Sequence, residues 1–271
     1  MRGIGVASSQ LIRAAALSAP LVPLEGCVAA AIVTTLDPKC FPGPSHIAFW
    51  RMGSQVASCA ARMDAEDVIY HDGAFHFVFR QGDLLMCTPN EATVEQLQVG
   101  MDFRMFLGSR LAVLRAGARY LVECRGELLM VLRIQPHHKV TSEIRVSRMT
   151  QEQAPDADGT YAYYSTDAGH ARYSWTELPT LDCRMLFVWR GCSRSFEVAH
   201  FPGSQEGVYF LDDGSFHAAP LICYGDGPRQ YGCCNNGVWY GPPDDVHHWF
   251  PLQPIDLLVP CLVSPLRALT T

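Results

Sequence analysis

Val68-Ile69-Tyr70-His71-Asp72-Gly73-Ala74-Phe75-His76-Phe77-Val78 sets one β-rich run against another across an Asp-Gly pair. Aspartate followed by glycine takes the positive φ angles of a tight turn, so the flanking runs read as the two strands of a hairpin. Tyr120-Leu121-Val122-Glu123-Cys124-Arg125-Gly126-Glu127-Leu128-Leu129-Met130-Val131 repeats the arrangement, with Gly126 placed 53 residues after Gly73. Val208-Tyr209-Phe210-Leu211-Asp212-Asp213-Gly214-Ser215-Phe216-His217 is a third copy, and Asn235-Asn236-Gly237-Val238-Trp239-Tyr240 centres a fourth. Gly126 and Gly214 lie 88 residues apart, and the weaker copy Asp158-Gly159-Thr160-Tyr161-Ala162-Tyr163-Tyr164 falls between them. A recurrence of about 40–50 residues with several strands in each period is that of propeller blades, whose faces are buried only against their neighbours. The expected fold class is all-β, a β-propeller of kelch-like four-stranded blades with about five blade-like units.

Working outward, helical patterns are sparse: Ser8 to Ala16 and Glu91 to Met101 are the two short candidates, the second also reading as a polar connection between strands. Proline marks the loops, at Pro38 to Pro44, Pro202, Pro220, Pro228, Pro242-Pro243, Pro251 and Pro254. Residues 1–26 are expected to be irregular or a partial first blade, and 27–271 to form the propeller. The alanine run Ala14-Ala15-Ala16 with Arg2, Arg13 and no acidic residue up to Leu24 shares features of a weak targeting segment, and the same residues also read as a strand and loop leading into Val28 to Thr35.

Hydrophobic residues make up 48% of the 271 and charged residues 18%, which suits a globular chain with a buried core. The formal net charge of -6 argues against tracking the phosphates of a nucleic acid, which needs clustered Lys and Arg. Only Arg133 to Arg148 is locally basic, and it reads as a solvated strand edge. No apolar run approaches the roughly 20 residues of a membrane-spanning helix. The eleven cysteines are odd in number and scattered, which reads as reduced and mostly buried thiols in the cytoplasm or nucleus.

Catalytic chemistry finds little support. His137-His138 and His247-His248 are adjacent pairs, and neighbours on a strand point to opposite faces, so a shared metal is not expected. Cys223 with Cys233-Cys234 has no Cys-x-x-Cys spacing. Ser193 or Cys192 with His200 and Asp212 makes a triad on paper, without the strand-turn-helix elbow that would present a nucleophile. Asp212-Asp213 reads as turn-forming rather than as a glycosidase carboxylate pair. No catalytic, metal or cofactor residues are therefore assigned. Trp175, Trp189, Trp239, Trp249 and Phe201 read as packing between blades, and Arg184, Arg190 and Arg194 near Trp189 are candidates for a partner-binding rim.

Several ordered segments carry a more specific signal. Trp175-Thr176-Glu177-Leu178, then Leu186 to Phe196 with Trp189-Arg190-Gly191, then Phe201-Pro202-Gly203 and Gly207 to Asp213, resemble the plant KIB-type propellers (domain of unknown function 295). Ala118 to Leu129 is similar to that family's central strand pair, Glu66 to Phe75 to its first clear hairpin, and Asn236 to Pro243 to its closing segment. The resemblance runs from about Val28 to the C-terminus; after Phe49-Trp50-Arg51-Met52-Gly53 the chain departs from it, with Ser54-Gln55-Val56-Ala57-Ser58 where the family has Asp and then Trp. The resemblance implies a non-enzymatic protein-interaction module, the substrate-recognition propeller that follows an F-box in ubiquitin ligase adaptors. This chain is expected to start inside the propeller and without the F-box, so binding to a Skp-type adaptor is not expected. The expected partner is a protein, possible ubiquitination substrates included, and neither nucleic acid nor membrane; the competing class is a propeller hydrolase of glycosidase type. Titration of the denatured, unreduced protein is expected to find most of the eleven cysteines reactive; several native disulfides would contradict the intracellular reading.

Overall fold

The computed structural model describes residues 9–19, 27–36, 45–54, 57–90, 98–106, 116–134, 141–151, 172–211, 237–241 and 245–248. Among these residues the chain is built from strands, with one 3-10 turn at Val198–His200 and no α-helix. The first sheet runs β1 (Ser9–Leu17), β2 (Val28–Leu36), β3 (Ser45–Arg51) and β4 (Ser58–Arg62), each antiparallel to the next. The second is the meander β5 (Ala65–His71), β6 (Ala74–Phe79), β7 (Leu84–Asn90) and β8 (Gln98–Phe106). The third, β9 (Ala116–Cys124), β10 (Glu127–Ile134), β11 (Glu143–Gln151) and β12 (Arg172–Glu177), is another meander, joined to the second by a short parallel pairing of β12 with β8. The fourth unit orders β14 (Arg194–Glu197), β13 (Arg184–Val188), β15 (Gly207–Phe210), β16 (Gly237–Trp239) and β17 (His247–His248). Four blade-like units are thus described, against the five expected from the repeat.

The two clearest hairpins form where the turn chemistry puts them. Asp72 and Gly73 join β5 to β6 at φ 47° and 77°, and Arg125 and Gly126 join β9 to β10 at 54° and 76°. Positive φ at both central positions is the turn whose twist matches that of paired strands. The turns at Gly214 and Gly159 lie outside the described residues, as do Asn235 and Asn236, although β16 pairs with β15 as the fourth hairpin requires.

Three apolar clusters occupy the three junctions between successive sheets. Val28, Ala30, Ile32 and Phe49 of the first sheet meet Val68, Phe75 and Phe77 of the second. Ile69, Val78 and Leu84, on the second sheet's opposite face, meet Leu121, Leu128, Met130 and Tyr173 of the third. Tyr120, Val122, Leu129 and Val131 then meet Leu186, Val188, Val208, Phe210 and Trp239. A sheet enclosed on both faces loses the apolar-polar alternation of a half-exposed one, which is why Leu128 to Leu132 is a continuous buried run. The strands β1, β5 and β9 stand side by side, with β13 and β14 packed against β9, so the sheets meet along their first strands as propeller blades do.

Polar ties reinforce these junctions. Arg119 of β9 is paired with Glu66 of β5 at 2.7 Å. Arg133 is fully buried, donates to the Tyr120 hydroxyl at 2.9 Å and to the Leu211 carbonyl at 3.0 Å, and lies over the Phe210 ring. The reading of Arg133 to Arg148 as a solvated edge therefore fails at its first residue, because these partners come from elsewhere in the chain and hold the guanidinium inside the core. It holds better at Arg145 and Arg148, which pair with Glu143 and Glu127 while partly exposed.

Of the two readings of the N-terminal residues, a helix over Ser8 to Ala16 or a strand leading toward Val28, the structure has the strand, β1 from Ser9 onward, and Gln98 to Met101 lie in β8. Alanine's helical propensity is a weak prior that pairing with β2 along the whole strand overrides. Small side chains have a further use here. Gly191, in the turn between β13 and β14, has φ 74°, and a Cβ built on it would sit 2.6 Å from the Ala15 carbonyl oxygen. The turn therefore lies directly on the backbone of the first sheet's leading strand. Gly191→Ala combines a disfavoured φ with a backbone clash and is expected to cost about 3 kcal/mol or more. Gly73→Ala and Gly126→Ala, whose added methyls meet open space, are expected to cost about 1–2 kcal/mol each. Urea denaturation of the three variants checks the order.

Candidate functional site

The fourth sheet has one face in the core and one in solvent. Leu186 and Val188 of β13 and Val208 and Phe210 of β15 point into the junction with the third sheet. Their alternates Phe187 and Tyr209 point away, as period-two strands dictate. The Phe187 and Tyr209 rings are stacked at 4.8 Å with 16° between planes; Phe187 meets Phe196 of β14 edge-on at 5.7 Å, and Phe196 meets Phe201 at 5.5 Å. Phe187, Phe196 and Phe201 remain 42%, 38% and 43% exposed, and Leu211 at the end of β15 is 46% exposed. Four aromatic rings and a leucine thus share one sheet region, where a single exposed apolar side chain would need no explanation. Arg194 is exposed directly opposite Phe187 in register, its guanidinium donating to the Ser193 carbonyl at 3.0 Å.

The far side of β14 holds the sheet in place. Ser195 donates to the Glu123 carbonyl at 2.8 Å, and Glu197 receives Arg125 at 3.0 Å and Arg184 at 2.7 Å. Arg184 is buried and also donates to the Cys124 sulfur at 2.9 Å.

The structure redistributes the residues singled out from sequence. Arg184 is a buried tie and not a rim residue, and half-buried Arg190 reaches inward to the Glu66 carbonyl at 3.4 Å. Arg194 alone of the three stands on the surface. Phe201 belongs to the exposed aromatic cluster rather than to packing between blades. Trp175 and Trp239 do pack between sheets: the Trp175 indole donates to the Gly82 carbonyl of the second sheet, and Trp239 lies in the cluster between the third and fourth. Trp189 is half-buried. Phe187, Phe196 and Tyr209 were not singled out from sequence, and only their alternation with the buried Leu186, Val188, Val208 and Phe210 signals them.

Of the residues weighed for catalysis, few are described. Ser193 is buried, its hydroxyl donating to the Trp189 carbonyl at 2.9 Å, while His200 is exposed. Asp212, Asp213, His137, His138, Cys223, Cys233, Cys234 and Trp249 lie outside the described residues. His247 stands against the Tyr240 ring, and among the described residues no three His, Cys, Asp or Glu converge on a point that could hold a metal. Of the described cysteines Cys27, Cys87 and Cys124 are buried free thiols, burial pushing Cys87 up to about 12, whereas Cys183 and Cys192 are exposed. An open recess of about 470 Å³ between the two hairpin tips is lined by Tyr70, His71, Asp72, Glu123 and Gly126.

Sheets meeting along their first strands, with an apolar layer at each junction, define a β-propeller. The KIB1-4 beta-propeller family matches residues 5–239, and the chain belongs to that family. The match begins upstream of Val28 and takes in β1. No curated protein and no solved structure gives a significant match.

Truncating the two kinds of aromatic separates surface from core. Phe196→Ala and Phe201→Ala are expected to cost under about 1 kcal/mol each, the scale of an exposed ring pair. Phe210→Ala, which empties a buried site beside Arg133, is expected to cost about 3–5 kcal/mol. Thermal melts of the three variants give the comparison.

Proposed function

We propose that the chain is a non-enzymatic protein-interaction module that captures a partner protein on the outward aromatic face of its fourth sheet. The cluster of exposed Phe187, Phe196 and Phe201 with half-buried Tyr209 is the observation that carries this reading. Aromatic rings give a large contact area for little lost side-chain freedom, and they are enriched among the few residues that dominate binding energy. The bonds from β14 to Glu123, Arg125 and Arg184 hold the face rigid, so little ordering cost remains on binding. The complementary ligand is a protein segment that inserts apolar side chains between the rings, with a carboxylate near Arg194.

Within the family, this role corresponds to the substrate-recognition propeller of plant ubiquitin ligase adaptors that carry an F-box. The partner is then a ubiquitination substrate met in the cytoplasm or nucleus. Contact with a Skp-type adaptor is not assigned to this surface, and neither nucleic acid nor a membrane is its ligand.

Affinity purification from the cells that make the protein tests the proposal, using the native chain, Phe187→Ser with Phe196→Ser, and the control Ile12→Ser at an exposed position of β1. At least one protein is expected to be enriched with the native chain and the control and lost from the double variant, since two such truncations weaken binding by about 4 kcal/mol. Equal recovery with all three, or turnover of glycosides that depends on a carboxylate of this chain, would contradict it.

A further inference from the structure

Asp67 is a fully buried carboxyl with backbone donors on both oxygens. On β5, it accepts the Leu121 amide of β9 at Oδ2, 2.8 Å away, and the Gly191 amide of the turn between β13 and β14 at Oδ1, 2.5 Å away. Two N–H groups aimed at two oxygens suit the ionised form, which only accepts. Burial opposes that form and outweighs the amide bonds, pushing the carboxyl from its ordinary value up to about 7. Geometry and solvation therefore ask for different protonation states at one atom pair.

The two bonds are not equally protected. Leu121 is held independently of Asp67, paired with Met130 in the β9–β10 ladder and packed in the cluster between the second and third sheets. Gly191 lies in a short turn closed by the Cys192 amide to the Trp189 carbonyl at 3.2 Å and by the Ser193 hydroxyl, which accepts the Trp189 amide at 3.2 Å and donates to its carbonyl at 2.9 Å; none of these bonds holds the Gly191 amide. A proton on Oδ1 turns an acceptor into a donor facing the Gly191 N–H, and this is the contact with freedom to open.

We infer that Asp67 is a proton-operated latch that holds the turn 189–193 against the first strands of the first two sheets when ionised and releases it when protonated. The charged groups around it are few. From the turn, Arg190 lies close enough to favour the carboxylate, and the carboxylate in turn helps raise the Cys192 thiol. From β5 and β9, Glu66 and Arg119 form their own ion pair beside it. Where Gly191 touches it, β1 offers only the backbone of Ala14 and Ala15, and its Arg13 is directed to Ser45. The signs follow from linkage: between the carboxyl's ordinary range and about 7 the folded chain binds a proton that the unfolded chain has lost, so overall stability falls as pH rises through that window. Over the same rise the Gly191 contact tightens. Local order at the turn and global stability thus move in opposite directions with pH, which a simple acid denaturation does not produce.

The turn joins the strands that carry Phe187 and Arg194, so release would loosen one end of the aromatic face; the latch itself stands whether or not that face binds a partner.

The test is nuclear magnetic resonance on the isotopically labelled full chain between pH 5 and 8. The Asp67 side-chain carboxyl carbon is expected to titrate near neutrality, and the Gly191 amide, corrected for intrinsic exchange, to be protected about tenfold less at the acid end, with Leu121 unchanged. Asp67→Asn is expected to abolish the pH dependence at Gly191. If that variant does not fold, the native chain still decides: a carboxyl titrating in the ordinary acidic range, or Gly191 protection equal at both ends, overturns the latch.

Discussion

The carboxyl of Asp67 is the point where the four sheets are tied to one another. It belongs to the second sheet, binds the leading strand of the third through Leu121, and binds the fourth through Gly191, which lies against Ala15 of the first. Apolar layers between sheets supply the non-directional attraction of the fold, but such layers tolerate sliding and rotation. A directional hydrogen bond to a backbone amide does not. Leu121 and Gly191 are 54 and 124 residues from Asp67, so the centre of the molecule is held by long-range contacts that no local propensity supplies.

The same constraint explains where arginine goes in this protein. Arg119, Arg133 and Arg184 are all buried, and each spans a junction or braces one: to Glu66, to Tyr120 and the Leu211 carbonyl, and to Cys124 and Glu197. A planar guanidinium reaches two partners on different strands at once, which a lysine's point charge does not. With Arg133 and Arg184 turned inward, the outward face of the fourth sheet is left to aromatic rings and to Arg194. Both the stability of the core and the character of the surface follow from that division.

What was legible in the sequence was local. Asp72-Gly73 and Arg125-Gly126 encode their turns within two residues, and the β-rich runs on either side leave little choice but hairpins; repetition of those hairpins then points to blades. The alanine strand β1 was legible only as one of two readings, helix or strand, because Ala14 to Ala16 carry no β-branched or aromatic signal and are a strand through pairing and close packing. Nor were the roles of Arg133 and Arg184, whose polarity argues for solvent until their distant partners are known. The aromatic face lay between these cases: alternation in Leu186-Phe187-Val188 marks two faces, but only the position of the third sheet says which one is covered. Trp175 and Trp239 were read as packing between sheets and do pack there, while Phe201, read in the same way, lies on the other side of that division.

The account depends most directly on the approach of the turn at Gly191 to the first sheet. Nuclear Overhauser contacts from the Gly191 amide proton in the labelled full chain measure it. Contacts to Ala14 and Ala15 together with Asp67 are the result this architecture predicts. Their absence in a folded, ionised sample at mildly alkaline pH, or contacts from Gly191 to a different sheet, would contradict the arrangement of four sheets around Asp67.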